Sequence, residues 1–110
     1  MPRKKEERST IAGERLKIAK DIIGKSYEDL IDERWQKIVQ VYDPKNIREW
    51  TKNGVPLNRI KSIAEYFGIF AYQLSDDKIT PLNFMKLIEL GQENLKILII
   101  KLPVILMNHL

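Results

Sequence analysis

DPKNIREWTKNGVPLNRIKSIAEYFG, residues 43–68, reads as two short helices joined at an Asn-Gly turn. Asp43 can accept hydrogen bonds from the first free N–H groups of the first helix, and Pro44 sits where its missing N–H costs nothing. Ile47 and Trp50, three apart, fall on one face and are expected inside. The opposite face carries Lys45, Asn46, Arg48 and Glu49. Long hydrogen-bonding side chains on a helix about two turns long have the shape that a DNA major groove accepts. Asn53-Gly54 supplies the left-handed residues that stop this helix at about Thr51 or Lys52. Pro56 then helps open another, from about Leu57 to Phe67, with Leu57, Ile60, Ile63, Ala64 and Phe67 as its buried stripe and Gly68 as its end.

The flanking chain is also helical in pattern. Ser9 or Thr10 caps a first helix reaching about Ile23, with Ile11, Ala12, Leu16, Ala19 and Ile23 at helical spacing and Gly24 after it. Ser26 caps a second, long helix over Tyr27–Val41, with Glu28 and Asp29 in its first turn where the dipole favours negative charge. Its stripe is Tyr27, Ile31, Trp35, Ile38 and Tyr42. Phe70 to Leu74 forms one more turn before a Ser75-Asp76-Asp77 loop, and Thr80-Pro81 starts a last helix through Phe84, Leu87, Ile88 and Gly91. Leu95 to Leu110 carries too much apolar surface to stay solvated. It is expected to continue a helix onto the core, add a strand to a partner, or form a dimer seam. The expectation is an all-α fold with a basic flexible arm (1–9), a compact domain (10–78), and a C-terminal helix with an apolar tail (79–110).

Composition narrows the chemistry. The 110 residues suit one domain, and 44% hydrophobic with 31% charged residues is ordinary for a globular protein. There is no Cys, hence no disulfide or thiolate metal site, and a reducing, cytoplasmic location is the natural expectation. The one His, His109, has no metal or catalytic partner nearby in sequence. The four serines lack a His base, the five glycines form no phosphate loop, and the adjacent carboxylates Asp32/Glu33 and Asp76/Asp77 diverge or are solvated. Neither enzyme nor cofactor is expected. The apolar run Leu95 to Met107, broken by Lys96, Lys101 and Pro103, is too short and too charged to span a bilayer. The net charge of +4 is concentrated in two blocks: Arg3, Lys4, Lys5, Arg8, Arg15, Lys17 and Lys20, then Lys45, Arg48, Lys52, Arg59 and Lys61. Such blocks suit phosphates, as they also suit two solvated helix faces.

GERLKIAKDIIGKSYEDL followed by NIREWTKNGVPLNRIKSIAEYFGI resembles the lambda-repressor-like (Cro/cI-type) helix-turn-helix domains, most closely phage CI repressors. The shared pattern is Gly13-Glu14-Arg15-Leu16, Ile47, Trp50, Asn53-Gly54, Pro56 and Phe67-Gly68-Ile69. It spans roughly residues 11–75. The resemblance implies a compact domain of five to six helices that binds double-stranded DNA as a homodimeric transcriptional regulator. It implies base-edge contacts from Lys45, Asn46, Arg48 and Glu49. Backbone contacts would come from Lys52, Asn53, Arg59 and Lys61, together with Lys17 or Lys20 and the basic arm. It also implies that Ile47, Trp50, Leu57 and Ile60 are core. Ser26 to Asp43 is longer than the family's connection and has no Gly, so either helix 2 is extended or a turn is inserted. The alternative function is a protein-interaction or antitoxin-like module on the same scaffold.

Overall fold

The protein is described by a computed structural model that covers residues 7–108, with side chains described through residue 97. The fold is all-α: α1 Thr10–Ile22, α2 Tyr27–Leu30, α3 Glu33–Ile38, α4 Pro44–Asn53, α5 Leu57–Phe67, α6 Ala71–Ser75 and α7 Pro81–Asn108. One small antiparallel bridge joins β1 (Arg8–Ser9) to β2 (Val55–Pro56), pairing Arg8 with Pro56 and Ser9 with Val55. The core gathers Leu16, Ala19, Leu30, Trp35, Ile47, Ile63, Phe67, Leu74, Phe84 and Ile88 into one cluster.

α1 starts where Ser9 Oγ accepts the Ala12 N–H at 3.1 Å, and it runs through the middle of the domain against α4, α6 and α7. Its contact with α4 is close enough to require Gly13. A Cβ there would overlap the Trp50 carbonyl oxygen and lie 3.3 Å from Gly54 Cα. Arg15, nearly buried on the same helix, donates to the Ile79 carbonyl at 2.5 Å and lies 5.2 Å from the centroid of the Phe84 ring. It thereby fastens α1 to the start of α7.

The long helix expected over Tyr27–Val41 is instead two short ones. Ile31 leaves helical geometry with ψ 66°, and Asp32 recaps the chain, its Oδ1 accepting the Trp35 N–H at 2.8 Å. An Asp that satisfies a backbone donor in its own turn offers the chain an alternative to continuing the helix. The stripe therefore divides. Trp35 is fully buried while Tyr42, its expected last member, is 65% exposed. The inserted turn has no Gly, and Gln40 takes the left-handed conformation at φ 59° in its place. The turn is held from inside, where the Trp35 indole N–H donates to the Val41 carbonyl at 2.9 Å.

α4 and α5 fall as expected to within a residue or two, with Asp43 Oδ1 accepting the Lys45 N–H at 2.9 Å. Leu57 is a correction: it is half-exposed at the first position of α5, outside the core. The C-terminus of α5 is satisfied from α3, where Arg34 donates to the Tyr66 carbonyl at 2.6 Å and the Glu65 carbonyl at 3.0 Å. A cation there also complements the helix dipole. Order begins earlier than expected, inside the stretch 1–9 read as a flexible arm: Arg8 and Ser9 belong to the bridge, and the Leu57 N–H donates to the Glu7 carbonyl. The rest of the expected flexible arm, residues 1–6, lies outside the described residues.

α7 settles the backbone of the tail. It is helical to Asn108, so the alternative in which the tail adds a strand does not hold. Phe84 and Ile88 bury against the domain, and Gly91 meets the end of α5, where a Cβ would come within 2.5 Å of the Phe67 carbonyl oxygen. Packing contacts of the tail side chains beyond residue 97, and His109, lie outside the described residues. Among the described residues, no helix is long and apolar enough to cross a membrane.

Candidate nucleic-acid interface

α4 is anchored by one edge and open on the rest. Ile47 is fully buried and Trp50 nearly so, which turns Lys45, Arg48, Glu49 and Lys52 outward at spacings of three and four. Asn46 and Asn53, seven apart, lie exposed along one side of the same helix. All four residues expected at base edges are thus exposed on one element.

They are not equivalent. Arg48 Nη2 donates to Glu28 Oε1 at 2.7 Å, and its guanidinium carbon lies 5.2 Å from the centroid of the Tyr27 ring. Tyr27 is in turn fixed to α4, with its hydroxyl 3.3 Å from Thr51 Oγ1, which donates to the Arg48 carbonyl. Glu49 Oε1 accepts from Arg8 Nη1 at 3.1 Å, joining the β1 bridge to α4. The side chains of Lys45, Asn46, Lys52 and Asn53 make no hydrogen bond or ion pair among the described residues.

The residues expected at the DNA backbone divide in the same way. Lys17 on α1 and Lys61 on α5 are exposed and without an ion-pair partner among the described residues. Lys20 is engaged: its ammonium meets Asp21 at 2.8 Å and the Lys25 carbonyl at 3.2 Å, and sits 4.7 Å from the centroid of the Tyr27 ring. Arg59 donates to the Val39 carbonyl at 2.8 Å and so braces the turn before α4. The residues missed from sequence are Tyr27 and Glu28, which, like Arg8 of the first basic block, meet α4 only through the tertiary packing.

A polar triad lies outside α4, at the start of α3. Lys25 Nζ and the Tyr66 hydroxyl both donate to Asp32 Oδ2, each at 2.7 Å. Burial alone pushes the Asp32 carboxyl up, yet the hydrogen bonds from Lys25, the Trp35 N–H and Tyr66 outweigh it and hold the group below the usual carboxylate range. Burial likewise pulls the Lys25 ammonium down, and Asp32 and Tyr66 more than reverse it. Burial and the Asp32 carboxylate push the Tyr66 phenol up. The triad ties the α1–α2 connection, the cap of α3 and α5 together at the break in the long helix. Its three side chains bond to one another and to the Trp35 N–H, so it reads as scaffold. Among the described residues, no group of His, Cys, Asp and Glu could hold a metal ion.

No protein-family model, no curated protein and no solved structure matches this chain.

Proposed function

We propose that this protein binds double-stranded DNA as a helix-turn-helix transcriptional regulator, with α4 lying in the major groove. The observation that carries the reading is the exposed face of α4. It sets Lys45 and Lys52 outward without ion-pair partners among the described residues, while Ile47 and Trp50 fix the helix from behind. Lys45, Asn46, Arg48 and Glu49 would meet base edges, and Lys52, Asn53, Lys17 and Lys61 the phosphates. The engaged Lys20 and Arg59 would support the face from within. One helix buries too little surface for tight specific binding, so two copies would sit on two half-sites. The seam proposed for that homodimer is the apolar continuation of α7, whose exposed Leu82, Leu90 and Ile97 already lie outside the domain core.

A second reading, a protein-interaction or antitoxin-like module, is favoured by two other observations. The Glu28–Arg48 and Arg8–Glu49 pairs absorb charge on the same face, and Phe70 and Tyr72 are exposed and stacked at 6.1 Å. Titration of labelled duplex separates the two readings. Binding should weaken steeply between about 50 and 200 mM salt. Replacing both Lys45 and Lys52 by Ala should lower the slope of log affinity against log salt by about 2. Absence of binding at the lower salt, or a flat slope, would remove the DNA reading and leave the interaction module.

A further inference from the structure

We propose that Glu28 is a positioning residue that holds Arg48 ready for a single guanine, so that an acidic side chain on α2 sets the specificity of α4. The inference rests on the DNA reading of α4 and adds to it a residue that touches no base.

The geometry supplies three restraints on one flexible side chain. Glu28 Oε1 takes one proton of Arg48 Nη2 at 2.7 Å. The guanidinium plane lies near the Tyr27 ring, its carbon 5.2 Å from the centroid. Tyr27 is itself bonded to Thr51, one turn along α4, so the ring moves with the helix that Arg48 belongs to. Arg48 nevertheless remains half-exposed. An arginine has five N–H donors, arranged as two edges of two donors each and one further proton. Nη2 contributes one proton to each edge, so whichever proton Glu28 takes, the other edge is intact. A two-donor edge is what the O6 and N7 acceptors of guanine require. Glu28 thus removes part of the conformational freedom that Arg48 would otherwise lose on binding, while leaving its reading edge available.

The same carboxylate places a negative charge near the phosphates, which disfavours every sequence alike. A positioning role therefore predicts a split that a merely structural ion pair does not. Removing the charge should keep or raise affinity for arbitrary DNA and lower discrimination at one base.

The experiment uses the full chain and a pool of randomised duplexes, from which preferred sequences are selected, followed by affinities for the best sequence and each of its single-base variants. Discrimination at one guanine should vanish in Arg48→Ala. In Glu28→Gln it should fall about tenfold with other positions unchanged and overall affinity equal or higher. The double variant should discriminate no worse than Arg48→Ala alone, because the two residues act through one contact. Discrimination within about twofold of the parent in Glu28→Gln would overturn the proposal. So would a uniform loss at all sequences accompanied by a lowered melting temperature, which marks a structural pair. If Arg48→Ala keeps every base preference, this inference falls and DNA binding by α4 stands. If the parent selects no duplex at all, both fall.

Discussion

Trp35→Ala should cost about 3–5 kcal/mol of stability, among the largest losses expected of a single substitution in this domain. The ring is fully buried, lies edge-on to Tyr66 at 5.1 Å between centroids, and donates its indole N–H to the Val41 carbonyl. Truncation removes the apolar area, leaves a cavity and strands a buried acceptor. The stranded acceptor matters because Val41 lies two residues before Asp43, the cap of α4. Trp35→Phe, which keeps most of the volume and loses the donor, should cost about 1–2 kcal/mol. Urea unfolding checks both, with the midpoint falling and the slope unchanged. A loss of less than about 1 kcal/mol for Trp35→Ala would mean that the α3–α4 turn is held by something else.

Gly13→Ala should be destabilising by about 2 kcal/mol, although alanine is the better helix former by nearly 1 kcal/mol. The new methyl group would have the Trp50 carbonyl oxygen, backbone of α4, inside contact distance, with Gly54 Cα 3.3 Å away. Backbone cannot rotate aside as a side-chain tip can, so α1 and α4 must separate. The separation would also tilt the candidate reading helix. A fall in melting temperature of about 10 °C is expected, together with weaker duplex binding at a temperature where the variant remains folded. An unchanged or raised melting temperature would show that the two helices sit further apart.

Why some of this was legible in sequence and some was not follows from the range of the interactions. α4 and α5 carry their own boundaries: Asp43-Pro44, Asn53-Gly54, Pro56 and Gly68 are local signals, and Ile47 with Trp50 identifies the inward face without help from elsewhere. Gly13 stood out as part of a pattern, and the structure supplies the reason in the Trp50 carbonyl beside it. The break at Ile31–Asp32 was hidden because Tyr27, Ile31, Trp35 and Ile38 keep perfect helical spacing across it. Asp32 reads as one more outward polar residue until its carboxylate is seen bonding the Trp35 N–H. Leu57 belonged to the right stripe but sits at the first turn of α5, past the edge of the core. The β1–β2 bridge joins two-residue segments from distant parts of the chain, too short to leave any periodicity. The Glu28–Arg48 contact depends on how α2 lies against α4, which no local pattern encodes.

The same distinction applies to the site. Side chains pointing outward on α4 could be named from spacing alone, but which of them are already engaged could not. Lys20 and Arg59 looked like the other surface cations, yet one stacks beside Tyr27 and the other braces the turn at Val39.

The proposal that α4 reads DNA is tested most directly by backbone amide NMR shifts on addition of a duplex selected from the random pool. The largest changes are expected at Lys45, Asn46, Arg48, Glu49, Lys52 and Asn53, with smaller ones at Lys17 and Lys61 and near-constant signals over Leu87–Asn94. Changes concentrated at Ile69–Tyr72 and Leu87–Asn94, with α4 silent, would contradict it.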